Sequence, residues 1–366
     1  MEETLSKRII KESLKIKENE RVFISYHDDH CKSFVKYLIT AIIECKGIPF
    51  VKRVDSDIQA YLLKNTKDNR IEHLHKMSLE EVNWYDAIIE ITYTTNIYEE
   101  REVDKEVRSK VIRALKESRD IRNKEKKWIL LNYPSLLDAY KAKMDYDSYY
   151  KHAIESMLLN YEKMKEMILP LKEWMEKTDK VRIVGPDTDL TFSIKGMPAI
   201  PCLGDFNLPD GEIFTAPLKK SVNGRITYNT PSPYLGNVFT NVSLTFEKGK
   251  IIKATCNEDN EKLENILNTD EGSSYIGEFA LGFNPVILDP MGDILFDEKI
   301  KGSLHFTPGD SYAEADNGNH SSIHWDMVLI QREEYGGGEI YFDDVLIRKN
   351  GVFVLPDLES LNFKEE

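Results

Sequence analysis

The chain has 366 residues, enough for two domains, and 41% of them are apolar, as in an ordinary globular protein. Its formal net charge of −14 at pH 7 excludes non-specific nucleic-acid binding, which needs a surplus of Lys and Arg. The four cysteines are scattered and form no CxxC pair, so neither a disulfide framework nor a thiolate zinc site is expected. The sequence shows no basic, apolar leader and no run of about 18 apolar residues, so we expect a cytoplasmic protein that does not contact membranes.

The first half of the chain has the pattern of alternating helices and strands. Apolar residues at helical spacing predict a helix over residues 1–18. Short apolar runs predict strands at Arg21–Tyr26, Ile48–Arg53, Tyr85–Ile91 and Lys127–Pro134. A strand, a helix and a second strand in this order make a βαβ unit, which builds a parallel sheet. We therefore expect an α/β N-terminal domain, a flavodoxin-like sandwich with a parallel sheet, over residues 1–178.

Four polar residues, His27, Asp28, Asp29 and His30, follow the first predicted strand. This end of a parallel strand is where open α/β sheets bind ligands, so one interpretation is a metal site. The favoured interpretation is that Asp28 or Asp29 caps the following helix by accepting from its free N–H groups. No GxGxxG or GxxxxGK[ST] motif supplies a phosphate loop, so the sheet is predicted to be a scaffold.

The second half begins after a long helical stretch, Tyr146–Lys177, which Pro170 is expected to kink or end. This stretch is predicted to connect two domains. Beyond it, short alternating runs separated by Gly, Pro and Asn predict strands, with tight turns at Asn223-Gly224 and at Lys248-Gly249. We expect residues 179–366 to form an α+β, mainly antiparallel β, metal-binding domain.

The candidate chemistry lies in this C-terminal half. In Ile323-His324-Trp325-Asp326-Met327 an imidazole and a carboxylate stand two residues apart. If the segment is a strand, His324 and Asp326 point to one face and the apolar residues fill the other, an arrangement that suits a divalent metal. The alternative is a half-buried strand with an ordinary His–Asp hydrogen bond.

Three further fragments place carboxylates, imidazoles or a tyrosine among Gly and aromatic residues: 207–217 with PDGEIFTAP, 276–285 with GEFALGFNP, and 295–312 with FDEK followed by Gly, His and Tyr. Together with IHWDM, and in this order, the fragments resemble the thermophilic metallo-aminopeptidase family (M29), the aminopeptidase T group. The resemblance covers residues 207–327 and is weaker in the N-terminal half.

The resemblance implies a dinuclear site with two divalent metal ions. Its metal ligands would be Glu212, Glu278, His305, His324 and Asp326, with Glu298 as an additional ligand. Tyr312 stands at the position of the family's catalytic tyrosine. The resemblance also implies a homodimer, in which residues 1–178 shield the site and contribute to dimerisation while residues 179–366 form the catalytic domain.

The same residues suggest a chemistry without reference to the family. Oxygen and nitrogen ligands without thiolates suit zinc, cobalt or manganese. Two such ions activate a water and polarise a scissile carbonyl, and one ion can bind the free α-amine of a substrate. The phenol of Tyr312 is suited to stabilise an oxyanion. Glu278 or Glu298 is suited to shuttle the proton to the leaving amine, and the sequence leaves that choice open.

We therefore expect a metallo-aminopeptidase that acts on short peptides with a free N-terminus. Two alternatives remain from the sequence. One is a catalytically diverged peptide-binding or amine-binding protein on the same scaffold. The other is a different dinuclear metallohydrolase, such as a phosphoesterase, although no basic cluster flanks the candidate ligands to hold a phosphate.

Overall fold

The structure, a computed structural model, describes residues 1–96, 98–234 and 236–363. The strands are β1 Arg21–Tyr26, β2 Ile48–Arg53, β3 Ala87–Thr92, β4 Lys127–Asn132, β5 Lys180–Gly185, β6 Thr188–Ser193, β7 Ile200–Cys202, β8 Asn207–Leu208, β9 Glu212–Thr215, β10 Asn223–Thr227, β11 Ser232–Tyr234, β12 Asn237–Phe239, β13 Ser243–Glu247, β14 Lys250–Thr255, β15 Ile276–Gly282, β16 Ser303–Pro308, β17 Val328–Ile330, β18 Glu339–Phe342, β19 Val345–Lys349 and β20 Val352–Phe353. The α-helices are α1 Glu2–Arg8, α2 Lys32–Glu44, α3 Ser56–Lys64, α4 Asp68–Trp84, α5 Lys105–Ala114, α6 Lys116–Glu125, α7 Leu136–Lys141, α8 Tyr146–Met157, α9 Tyr161–Met167, α10 Leu169–Lys177, α11 Asn260–Leu267 and α12 Ile294–Asp297.

The chain divides into two compact units. The first comprises residues 1–158 and 204–209, and the second comprises residues 159–203 and 210–366. The predicted functional division at residue 178 stays a prediction. None of the helices in the described ranges is both long and apolar enough to cross a membrane.

The first unit is built on a parallel sheet with the strand order β2-β1-β3-β4-β8. Phe23, Ile88 and Trp128, on three adjacent strands, pack with Val82 of α4 and Ile121 of α6. Because side chains alternate along a strand, the neighbouring residues of the same strands point to the opposite face. A parallel sheet with helices packed against it confirms the predicted α/β architecture. The flavodoxin-like description of this unit stays a prediction.

Two local predictions in this part of the chain can be compared with the structure. Asp28 accepts a hydrogen bond from the backbone N–H of His30 at 2.9 Å and caps the helical turn that leads into α2, as predicted. The stretch Tyr146–Lys177 is helical, but it is divided into α8, α9 and α10, and Pro170 lies in the first turn of α10. A proline is tolerated there because the first N–H groups of a helix have no intrahelical partner.

In the described residues the second unit contains three antiparallel sheets, in agreement with the predicted antiparallel β architecture. The largest has eight strands in the order β14-β13-β10-β6-β5-β18-β19-β20, the next has five in the order β17-β16-β15-β9-β7, and the smallest consists of β11 and β12. The predicted turn at Lys248-Gly249 joins β13 to β14. The turn predicted at Asn223-Gly224 is wrong, because these residues lie in β10, where a Cβ on Gly224 would come within 2.2 Å of the carbonyl oxygen of Asp189.

An aromatic core lies between the eight-stranded and the five-stranded sheets of this unit. Phe279 of β15 and Phe306 of β16 each lie 5.0 Å from Phe192 of β6, measured between ring centroids. Phe279 and Phe306 are fully buried. One face of the five-stranded sheet is thereby anchored, and its other face is available to carry polar side chains.

Candidate metal centre

The strand register of the five-stranded sheet places three of the predicted ligands on one face. Glu212 pairs with Gly282, and His305 pairs with Ala280. Paired residues point to the same side of an antiparallel sheet. Every second residue of a strand also faces one side, so positions 278, 280 and 282 of β15 share that side. Glu212, Glu278 and His305 therefore converge on the face opposite to the aromatic core.

Glu298 reaches this face from the segment that follows α12. The segment lies against β15 because residue 282 is a glycine. A Cβ at Gly282 would come within 2.6 Å of the carbonyl oxygen of Ile300 and 2.9 Å of that of Glu298. The glycine of the GEFALG motif thus provides the space through which Glu298 approaches the other ligands.

His324 and Asp326 arrive from the segment before β17. The expectation that this segment is a strand is wrong: His324 makes only an isolated bridge to Gly309, and β17 begins at Val328. The extended backbone nevertheless puts both side chains on the same side, with His324 Nε2 3.2 Å from Asp326 Oδ1. Trp325 lies between them in the sequence and is buried. Its ring stacks on that of Tyr234, with 4.7 Å between the ring centroids, and this contact anchors the segment.

The six predicted ligands form one cluster of overlapping groups. Within each group, ligand-type atoms lie within 4.8 Å of one another. The groups are Glu212, Glu278 and His305; Glu278, His324 and Asp326; Glu298, His305 and Asp326; and Cys202, Asp210 and Glu212. Five separate segments of sequence therefore meet at one mostly buried site.

Tyr312 stands at the edge of this cluster. Its ring lies 4.7 Å from the ring of His324 and 5.5 Å from that of Phe214, between centroids. The residue is 48% exposed. The tyrosine is thus adjacent to a predicted ligand and accessible from solvent.

The hydrogen bonds of His324 indicate what the cluster is built to hold. Nδ1 lies 2.8 Å from the carbonyl oxygen of Asp310, to which it donates its proton. In the neutral ring this leaves the lone pair of Nε2 facing Glu278 Oε2 and Asp326 Oδ1, each at 3.2 Å. A lone pair that faces two carboxylates requires a positive charge between them, from either a proton or a metal ion.

Positive charge is scarce in the cluster. Among the described residues it contains five carboxylates, those of Asp210, Glu212, Glu278, Glu298 and Asp326. Three groups in it can be cationic, and these belong to Lys299, His305 and His324. Burial raises the pKa of Glu298 to about 8, with Lys299 opposing the rise and Glu212 and Asp326 adding to it. Burial alone lowers the pKa of His305, but Glu212 and Glu278 outweigh it and raise that pKa to about 10.

The donor atoms that remain also fit divalent cations. Glu212 Oε2 and His324 Nε2, which both face other members of the cluster, are buried and have no hydrogen-bond partner among the described residues. Unpartnered buried polar atoms are costly unless a ligand satisfies them. Carboxylate oxygens and imidazole nitrogens are ligands of zinc, cobalt and manganese. The residues present therefore suit the metal that the sequence predicts.

Four residues of the site have no role predicted from sequence. Lys299 is buried between carboxylates, Asp210 lies 3.7 Å from its ammonium group, Thr307 donates to Asp326 at 2.7 Å, and Cys202 lies near Asp210. The sequence could have indicated Lys299, because this lysine directly follows the predicted ligand Glu298 in a segment with apolar residues on both sides. The other three are identified only by the packing of distant segments.

Comparison with known proteins identifies the family of the chain. A sequence model of the thermophilic metalloprotease family (M29) matches residues 2–353. The chain belongs to this family. The resemblance found in the motifs is therefore confirmed, and it extends through the N-terminal half as well.

Curated relatives of this M29 chain match it over shorter stretches. It is 37% identical to aminopeptidase AmpS of Bacillus subtilis (strain 168) over 111 residues, which are 29% of the chain and 27% of the relative. It is 35% identical to aminopeptidase 2 of Geobacillus stearothermophilus over 141 residues, or 34% of each protein. The matches thus span about a quarter to a third of these relatives. The structure titled wild-type AmpT from Thermus thermophilus aligns with 97% of the M29 chain and 99% of its own length, with a TM-score of 0.78 at 18% identity, so the fold is shared.

Proposed function

We propose that this M29 chain is a metal-dependent aminopeptidase that hydrolyses the N-terminal peptide bond of short peptides. The observation that carries the proposal is the convergence of Glu212, Glu278, His305, His324 and Asp326, with Glu298, in one acidic cluster. The curated relatives named aminopeptidases support the same activity. A divalent ion held by this cluster would also bind the free α-amine of an unblocked peptide through the lone pair of its nitrogen.

The overlapping groups support two metal positions that share Glu278. One would be held by Glu212, Glu278 and His305, and the other by Glu278, His324 and Asp326. Glu298 is close to one residue of each position, His305 of the first and Asp326 of the second. Divalent ions bound there would supply Lewis acidity and an activated water. Zinc, cobalt and manganese all suit this donor set.

The protein's own residues have separate tasks in the proposed reaction. Tyr312 would donate a hydrogen bond to the carbonyl oxygen of the scissile bond as negative charge develops on it. Glu278 or Glu298 would accept the proton of the attacking water and pass it to the leaving amine. The carbonyl of Asp310 fixes the ring of His324, and Thr307 fixes the carboxylate of Asp326.

Four expectations from the sequence stay predictions. The resemblance implies that residues 1–178 shield the site and that the protein is a homodimer. Residues 179–366 would contain the catalytic centre. The cytoplasmic location rests on the sequence pattern alone.

The proposal is tested by measuring metal content together with the release of amine from aminoacyl anilides, before and after chelation. We expect activity that is lost with the metal and restored by zinc, cobalt or manganese. Glu278→Gln should abolish both metal binding and activity, because Glu278 contacts both histidines. Glu314→Gln, in the exposed turn after Tyr312, is the matched control and should retain both.

The same measurements separate the alternatives. Two bound metals without turnover on a broad panel of unblocked peptides would instead indicate a binding protein. Hydrolysis of phosphate esters but not of anilides would indicate a phosphoesterase. Full activity of the Glu278→Gln variant would rule out the proposed site.

A further inference from the structure

A lysine is buried inside the candidate metal centre. Lys299 is 1% exposed, and its Nζ lies 2.5 Å from Glu212 Oε1 and 2.6 Å from Glu298 Oε1. A third carboxylate oxygen, Oδ1 of Asp210, lies at 3.7 Å. Two of the six predicted metal ligands are thus already paired with a cation that belongs to the chain.

The pairing uses one oxygen of each glutamate. Lys299 binds Oε1 of Glu212, whereas Oε2 of the same carboxylate is buried without a hydrogen-bond partner among the described residues and lies 3.6 Å from His305 Nε2. The ammonium group therefore orients Glu212 with its second oxygen toward the imidazole. It also neutralises part of the negative charge on this side of the cluster.

On the other side of the cluster, formed by Glu278 and Asp326, the described part of the chain places no lysine or arginine in an ion pair. Among the described residues, Glu278 and Asp326 form their ion pairs with the imidazoles of His305 and His324, which become neutral when they bind a metal. Lys299 keeps its charge in either case, because its ammonium group has no lone pair to offer to a metal. The two potential metal positions therefore differ in the fixed charge beside them.

We propose that Lys299 makes the two metal positions unequal. The position formed by Glu278, His324 and Asp326 binds its divalent ion tightly. The position formed by Glu212, Glu278 and His305 binds a second ion at least about tenfold more weakly, the scale on which a hydrogen-bonding partner of a ligand alters metal affinity. The ammonium group repels the second ion and occupies one oxygen of Glu212 and one of Glu298. This inference rests on the proposed metal centre but is independent of peptide hydrolysis.

The test is a titration of the chelator-treated full-length protein with Zn²⁺ or Mn²⁺, followed by calorimetry and by metal analysis after equilibrium dialysis. The wild-type protein should bind one equivalent tightly and the second at least about tenfold more weakly. Lys299→Met keeps the length of the side chain but removes its charge and its donors. It should strengthen binding of the second ion about tenfold or more, so that the two affinities approach each other.

Lys301→Met is the matched control. This lysine lies two residues away, and its ammonium group donates to the carbonyl oxygen of Phe363 at 2.6 Å. Its removal should leave the ratio of the two affinities at the wild-type value. If the Lys299→Met protein does not fold, Lys299→Gln keeps a hydrogen-bond donor without the charge and should shift the second affinity in the same direction.

Two equally tight ions in the wild-type protein overturn the inference, even if no variant of Lys299 folds. A second ion that binds more weakly in the Lys299 variants also overturns it, because Lys299 would then assist the metal. Absence of any metal binding removes the metal centre itself. If the protein binds the two ions with unequal affinities but does not hydrolyse peptides, only the proposed function is contradicted.

Discussion

Thr307 offers a sharp test of how the candidate metal centre is held in place. This fully buried residue of β16 donates through Oγ1 to Asp326 Oδ1 at 2.7 Å. Thr307→Val replaces the hydroxyl with a methyl group of similar size, so the change removes the hydrogen bond without opening a cavity. Asp326 would retain its charge and its contact with His324.

The size of the effect follows from the charge on the acceptor. A hydrogen bond to a charged group contributes about 1.5–3 kcal/mol, so the free energy of unfolding of the metal-free protein should fall by about this amount. Loss of a group that orients a metal ligand typically weakens metal binding about 10–100-fold. Chemical denaturation of the metal-free protein and calorimetric titration with Zn²⁺ measure the two quantities.

Thr215 provides the matched control. It is buried on β9, next to the strand that carries Glu278, and its hydroxyl has no hydrogen-bond partner among the described residues. Thr215→Val should leave stability unchanged or raise it, because an unpaired buried hydroxyl is costly. An equal fall in the free energy of unfolding of Thr307→Val and Thr215→Val would refute the reasoning. A Thr307→Val protein that binds metal with wild-type affinity would also refute it.

Three further predictions concern other parts of the second unit. Tyr312→Phe should reduce kcat about 100-fold or more while metal stoichiometry stays unchanged, since only the oxyanion donor is lost; steady-state kinetics and metal analysis check this. Gly282→Ala should destabilise the protein by about 1–3 kcal/mol and weaken metal binding, because the new Cβ would meet the backbone oxygens of Glu298 and Ile300. Arg348→Met should raise the free energy of unfolding by about 1–3 kcal/mol, measured by denaturation, because it removes a buried cation that has no acidic partner among the described residues.

The prediction for Arg348 rests on its surroundings. The residue is fully buried, burial lowers its pKa to about 9, and its Nε and Nη1 have no hydrogen-bond partner in the described part of the chain. Arg332→Met is its control, because Arg332 donates to Glu334 at 2.6 Å and to two backbone carbonyls. That variant should lose stability, and a gain in both variants would contradict the explanation by unpaired charge.

The sequence predicted the local structure wherever the pattern is set by neighbouring residues. The four strands expected in the first unit occur as β1 to β4, and Asp28 caps the helical turn before α2. Local predictions failed where a distant segment decides the conformation. Gly224 lies in a strand because the backbone of Asp189 passes against it, and the segment around His324 is extended without being a regular strand.

The sequence by itself determined the family and predicted six residues of the cluster, because the order of motifs and the chemistry of their side chains are properties of the chain. Only the tertiary structure decided how these residues meet. The register between β9, β15 and β16 places Glu212, Glu278 and His305 on one face. The missing side chain of Gly282 admits the segment with Glu298 and Lys299. The contact of Lys299 with Glu212 joins residues that are 87 positions apart, a distance over which no local pattern carries information.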